Sequence, residues 1–116
     1  MTNKSVREIQ DNLNKVIKNL GNDKASEFLE TVLQILRKAV DNLLLSIEAK
    51  DLTLCQQSAH KLKGSSNLYG SQTLVDLLVQ IESTPEVIMN DAEKYQTLLN
   101  EFELVVQQVK IKISEA

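Results

Sequence analysis

Apolar residues recur along this chain at intervals of three and four, the period of one face of an α-helix. Val6, Ile9, Leu13, Val16 and Leu20 make the first such stripe. Ser5-Val6-Arg7-Glu8 has the form of a capping box ahead of it, and Gly21 suits the stop behind it. Asn22 or Asp23 is the expected cap of a second, longer helix. Its broad inward face is Phe28, Leu29, Val32, Leu33, Leu36, Ala39, Val40, Leu43, Leu44 and Ile47. Ile35 and Leu45 fall outside that sector, free to pack the first helix or to meet a partner. Asp51 is the expected cap of a third helix that runs to about Tyr69, before Gly70. Ser71 is placed to cap a fourth, with Leu74, Leu77, Leu78 and Ile81 inward. Thr84-Pro85 breaks the pattern and starts a short extra turn. A last helix begins near Asn90 or Asp91 and carries Tyr95, Leu98, Phe102, Val105, Val109 and Ile113.

Long helices joined by brief connections become antiparallel neighbours. The expected fold is therefore all-α: an antiparallel up-down four-helix bundle over about residues 22–113, with an additional short N-terminal helix over about 5–20. A chain of 116 residues holds one core, so residues 1–116 are expected to form a single domain. Composition agrees, because three glycines and one proline are too few for the turns of a sheet protein.

The net charge of −3 and the scatter of its 13 basic residues argue against nucleic acid as a partner. Cys55 has no second cysteine to pair with, which fits a reducing compartment. The start, MTNKSVREIQD, lacks the apolar core of a signal peptide, and no apolar stretch approaches the roughly 20 residues that span a bilayer. The expectation is a cytoplasmic monomer, either free-standing or a soluble domain of a larger protein, that does not engage a membrane.

His60 is the one histidine, with Lys63 and Gly64 at i+3 and i+4 on the same helix face. Leu52, Cys55, Ala59, Leu62, Ser66 and Tyr69 define the inward stripe of that helix, and at 100° per residue His60 lies about 140° from its middle. The ring is thus expected in solvent, among Gln56, Gln57, Lys63, Gly64 and Asn67. A neutral imidazole is a nucleophile near neutral pH, and an ammonium beside it can neutralise an anionic group carried on the ring. Glycine inside a helix costs about 1 kcal/mol relative to alanine. On a solvent face, its value is to let another backbone come close. One histidine and one cysteine cannot complete a zinc site, and no metal site is expected. Ser65 and Ser66 lack a second histidine to serve as base. Glu101 with Glu103, and Asp91 with Glu93, read as solvated faces.

Ala59-His60-Lys61-Leu62-Lys63-Gly64-Ser65-Ser66, followed by Gly70 and Leu74, closely resembles the signature of histidine-containing phosphotransfer domains. Phe28-Leu29, Asp51 with Leu54, and Ile81-Glu82 extend the likeness over roughly residues 22–113. The resemblance implies a phosphorelay intermediate. It would accept a phosphoryl group on Nε2 of His60 from an aspartyl phosphate of a receiver domain, and pass it to another response regulator. It implies that Lys63 contacts the phosphoryl oxygens, that Gly64 opens access, and that Glu82 accepts from the other ring nitrogen. It implies a phosphocarrier without autokinase activity or a cofactor of its own, the Mg²⁺ arriving with the receiver. Receivers, and a hybrid sensor histidine kinase, would be its partners. A kinase dimerisation helix fits less well, because Lys61 follows His60 where Glu is usual and Ser65 stands where Pro is usual. Docking is expected on the rim formed by Gln56, Gln57, Lys61 and Asn67. The alternative from a different class is a non-catalytic helical adaptor that binds a signalling partner through its bundle surface.

Overall fold

The computed structural model describes residues 4–115, so the outermost limits of the expected domain, 1 and 116, lie outside the described residues. Six helices follow one another: α1 (Lys4–Leu20), α2 (Asn22–Glu48), α3 (Leu52–Tyr69), α4 (Gln72–Ser83), α5 (Glu86–Met89) and α6 (Ala92–Glu115). No strand occurs among the described residues.

The breaks between helices follow local chemistry. Gly21 has φ +82°, a conformation that glycine adopts without a steric penalty. It both ends α1 and occupies the N-cap position of α2, so the cap expected at Asn22 or Asp23 is one residue earlier and has no side chain. After α2, Lys50 turns into the left-handed region, at φ 54°. Its N–H donates to Ile47 O and that of Asp51 to Ser46 O, the paired bonds of a Schellman turn. Asp51 then caps α3, accepting from Leu54 N at 3.1 Å. Ser71 caps α4 in the same way through Leu74 N. Thr84-Pro85 leads into the single turn of α5, and Asp91 Oδ1 accepts from Lys94 N at the start of α6.

α2, α3, α4 and α6 form a closed ring in which each packs on two neighbours: α2 on α3, α3 on α4, α4 on α6, and α6 on α2. α1 touches all four, while α5 touches α2, α4 and α6. Each helix sends its apolar stripe into one core. Ile9 and Leu13, Leu36 and Leu43, Cys55 and Leu62, Leu74 and Leu78, and Leu98 and Val105 are almost wholly buried there. Each large aliphatic side chain so buried contributes about 1.5–3 kcal/mol relative to remaining in water.

Several positions depart from the one-dimensional pattern. Ser5 is a buried residue inside α1, not a cap, since the helix is already running at Lys4. Leu20 and Leu52, in the end turns of their helices, are 40% exposed, having no neighbouring helix beyond them. Phe28, at the margin of the α2 face, is exposed as well. Ile35 and Leu45 are more than half exposed, so they do not pack against α1. Glu101 corrects the reading as a solvated face: it is buried, and its Oε1 accepts from Ser71 Oγ at 2.5 Å. Asp91, likewise, is a half-buried helix cap. Glu93 and Glu103 are exposed.

Candidate functional site

The middle of α3 is held to the end of α4 by polar contacts that run along one seam. Cys55, Ala59 and Leu62 point into the core and so fix the rotation of α3. That rotation turns His60 outward, with 68% of its side chain exposed. Along the seam, Gln56 Nε2 donates to the backbone oxygen of Glu82 at 3.0 Å, pinning the last turn of α4 against α3. The Glu82 carboxylate then faces His60 and Lys63 together.

Glu82 accepts twice. Its Oε1 lies 2.8 Å from His60 Nδ1 and its Oε2 lies 2.6 Å from Lys63 Nζ. An ionised carboxylate has no proton to give, so Nδ1 is the protonated ring nitrogen. That tautomer leaves the lone pair on Nε2, which has no partner among the described residues. The hydrogen bond from Lys63, and next the one from His60, hold the Glu82 carboxyl below the ordinary carboxylate pKa. Glu82 is therefore ionised at neutral pH and sets both the orientation and the tautomer of the ring.

Gly64 stands one turn beyond His60. A Cβ built on it would meet nothing within 4 Å, so no packing inside this chain calls for glycine there. Gly70 is the opposite case, because a Cβ would come within 2.8 Å of the Ser66 backbone oxygen. Its φ of −93° is open to any residue, so the requirement is close approach and not backbone angle. Asn12 of α1 donates to Gly70 O at 2.9 Å and secures this turn from outside.

The residues expected at the docking rim divide between two recesses. Gln56, Gln57 and Lys61 line a shallow recess with His60 and Glu82. Asn67 instead lies with Ser66, Gly70 and the polar face of α1, in a recess that His60 does not line. Gln56 is also tied to the end of α4, and this positioning contact was not visible in the local sequence. Nor was the bond that engages Lys63 with Glu82 in the resting site. The likeness of Glu82 to a family position was the one signal for either. Cys55 is buried beneath this surface, and its burial, foremost, pushes the thiol pKa up, away from reactivity. No helix among the described residues is long and apolar enough to cross a membrane.

Comparison with known proteins agrees with this geometry. A family model for the Hpt domain matches residues 25–111, from the first turn of α2 to near the end of α6. No curated protein and no solved structure matches the chain. The matched segment covers well over half of the sequence and contains the whole α3–α4 seam, and the fold is helical throughout; the chain belongs to the Hpt domain family, helical bundles that carry phosphoryl groups in two-component signalling.

Proposed function

We propose that this protein is a phosphorelay intermediate whose phosphoacceptor is Nε2 of His60. The observation that carries the reading is an exposed ring with Nδ1 taken by Glu82, standing beside a helical glycine that the fold itself does not need. In this reading a receiver domain presents its aspartyl phosphate, together with its own Mg²⁺, to the face around Gly64. The Nε2 lone pair attacks phosphorus, the bond from phosphorus to the aspartyl oxygen breaks, and the receiver regains its carboxylate. The ring acquires positive charge as the N–P bond forms, and Glu82, already bonded to Nδ1–H, offsets that charge. Lys63 has three N–H donors. It can keep one on Glu82 and turn another to a phosphoryl oxygen. Attack by a second receiver's aspartate reverses the sequence.

Phosphoryl transfer depends chiefly on positioning and charge neutralisation, and a rigid bundle that presents one ring is sufficient for its half of the reaction. The receivers, and a hybrid sensor kinase bearing one, are the partners in this reading. The exchange takes place in the cytoplasm, and this chain supplies neither a nucleotide site nor a metal. Gln57 and Lys61, which border the same recess as the ring, meet the docked receiver.

The test is incubation with a ³²P-labelled receiver domain. Acid-labile, alkali-stable label is expected on this chain and is expected to vanish in His60→Gln, with no change in circular dichroism or melting temperature. Unlabelled wild-type protein that still binds the receiver would instead identify a non-catalytic adaptor. Label that survives in His60→Gln would remove the assigned acceptor.

A further inference from the structure

The ring order α2–α3–α4–α6 sets the α2/α6 groove on the side of the bundle opposite the α3/α4 seam that holds His60. That groove encloses about 360 Å³, and Val40, Leu44, Phe102 and Val106 contribute to its apolar floor. Its rim carries Arg37 and Asp41 from α2, and Glu103 and Lys110 from α6. None of the four belongs to an ion pair within the chain, among the described residues. Arg37 precedes Asp41 at i+4, the weaker order for a pair within one helix. Glu103 and Lys110 are two turns apart, about 10 Å along the axis, and too far to meet.

The ends of the groove differ in sign. Asn22, Ala25 and Leu29, early in α2, line a recess with Lys112 and Glu115, late in α6, so the two helices run antiparallel. Arg37 and Lys110 therefore share one end of the groove, and Asp41 and Glu103 lie toward the other. A partner of one charge sign would be repelled at one end. A partner that matches both ends has its polarity reversed end for end.

We propose that the occupant is a second copy of this chain, related by a two-fold axis that crosses α2 and α6 at right angles. Such an axis, near residue 39 of α2 and residues 106 and 107 of α6, sets Arg37 against Asp41 of the second copy and Glu103 against Lys110 of the second copy. Each pair then occurs twice, as isologous contacts must. A two-fold axis along the helices would set cation on cation and anion on anion, and is disfavoured. The apolar floor falls at the centre and the charges at the rim, the usual anatomy of an interface. α1 packs on α2 and α6 at one end of this face and α5 at the other, so the open part is shorter than the 41 Å long axis of the molecule. At a width of about 20 Å the area available per copy is then below the roughly 800 Å² of a standard interface, and the expected Kd is tens of micromolar or weaker, on the order of 10–100 μM. This proposal stands apart from the phosphotransfer reading, and it replaces the monomer expected from sequence. In such a dimer both copies of His60 face outward.

Sedimentation velocity on the full chain tests it, over concentrations from about 1 to 500 μM that bracket such a Kd. Wild-type protein is expected to pass from monomer to dimer, and less so at high salt. Asp41→Arg, at an exposed position, makes the α2 contact cationic on both sides and is expected to weaken the dimer at least about tenfold. The double variant Arg37→Asp/Asp41→Arg exchanges the two charges and is expected to restore it. Glu103→Lys and Glu103→Lys/Lys110→Glu repeat the logic on α6. A monomer at every concentration overturns the proposal. So does a dimer that the single reversals leave intact, or one that the charge exchange does not restore.

Discussion

Two glycines six residues apart, Gly64 inside α3 and Gly70 just past its end, stand in opposite surroundings. At Gly70 the chain is crowded: the Ser66 carbonyl stands where a Cβ would go, Asn12 grips the Gly70 oxygen, and Ser71 is bonded to the buried Glu101. At Gly64 nothing is near. The first glycine serves the fold and is satisfied within the chain. The second leaves the helix weaker than alanine would, and a Cβ there would meet nothing within 4 Å, which fits the access role proposed for it. A stabilising element and a functional element can thus be separated within one motif by asking what a single methyl group would touch.

The sharpest test of that separation is Gly70→Ala. The added methyl must displace backbone, and overpacking of this kind costs about 1–3 kcal/mol. Urea unfolding should show the loss in full, while transfer measured well below the midpoint stays near normal; an unchanged midpoint would show the crowding to be relieved without cost. Ser71→Ala works on the next residue of the same turn, at the start of α4. It removes a cap and leaves the buried Glu101 oxygen without its donor, so about 1–2 kcal/mol should be lost. A midpoint within error of wild type would mean that Glu101 finds another donor.

Gly64→Ala reverses the sign. A gain of about 0.5–1 kcal/mol in stability is expected, since helix propensity rises and nothing clashes. Transfer from a labelled receiver should nevertheless slow, and Gly64→Gln should slow it further with the circular dichroism spectrum intact. Transfer at the wild-type rate in both would reject the access argument. The smallest effect concerns Glu82. Its folded-state pKa lies below the ordinary value of about 4.5, so whatever stability its bonds to Lys63 and His60 confer is fully present above that value. That stability is lost as the pH falls through the lower folded pKa. Melting temperatures of wild type and Glu82→Gln should therefore converge as the pH is lowered below about 4.5. A difference that widens below that pH would contradict the assigned bonds.

Helix positions and the outward direction of His60 were legible from spacing alone, because the rotation of α3 follows from its own apolar residues at a fixed 100° per residue. The caps at Asp51 and Ser71 were legible for a related reason: a capping oxygen reaches an N–H only three residues away. Ser5 misled, since a residue type that suits a cap also tolerates burial within a helix when another helix covers it. Glu101 misled further, because a carboxylate at the edge of an apolar stripe reads as solvated unless its hydroxyl partner, 30 residues earlier, is known.

Local order, then, was written in the one-dimensional pattern: which segments are helical, where α3 and α4 begin, which way each helix faces, and which imidazole stands in water. The pairings between elements were not. Glu82 meets His60 across 22 residues, Gln56 reaches the end of α4 across 26, and Gly70 is bounded by α1 across 58. Each depends on how far one packed helix has slid along another, a quantity set by the fit of the whole core and by no single segment of it.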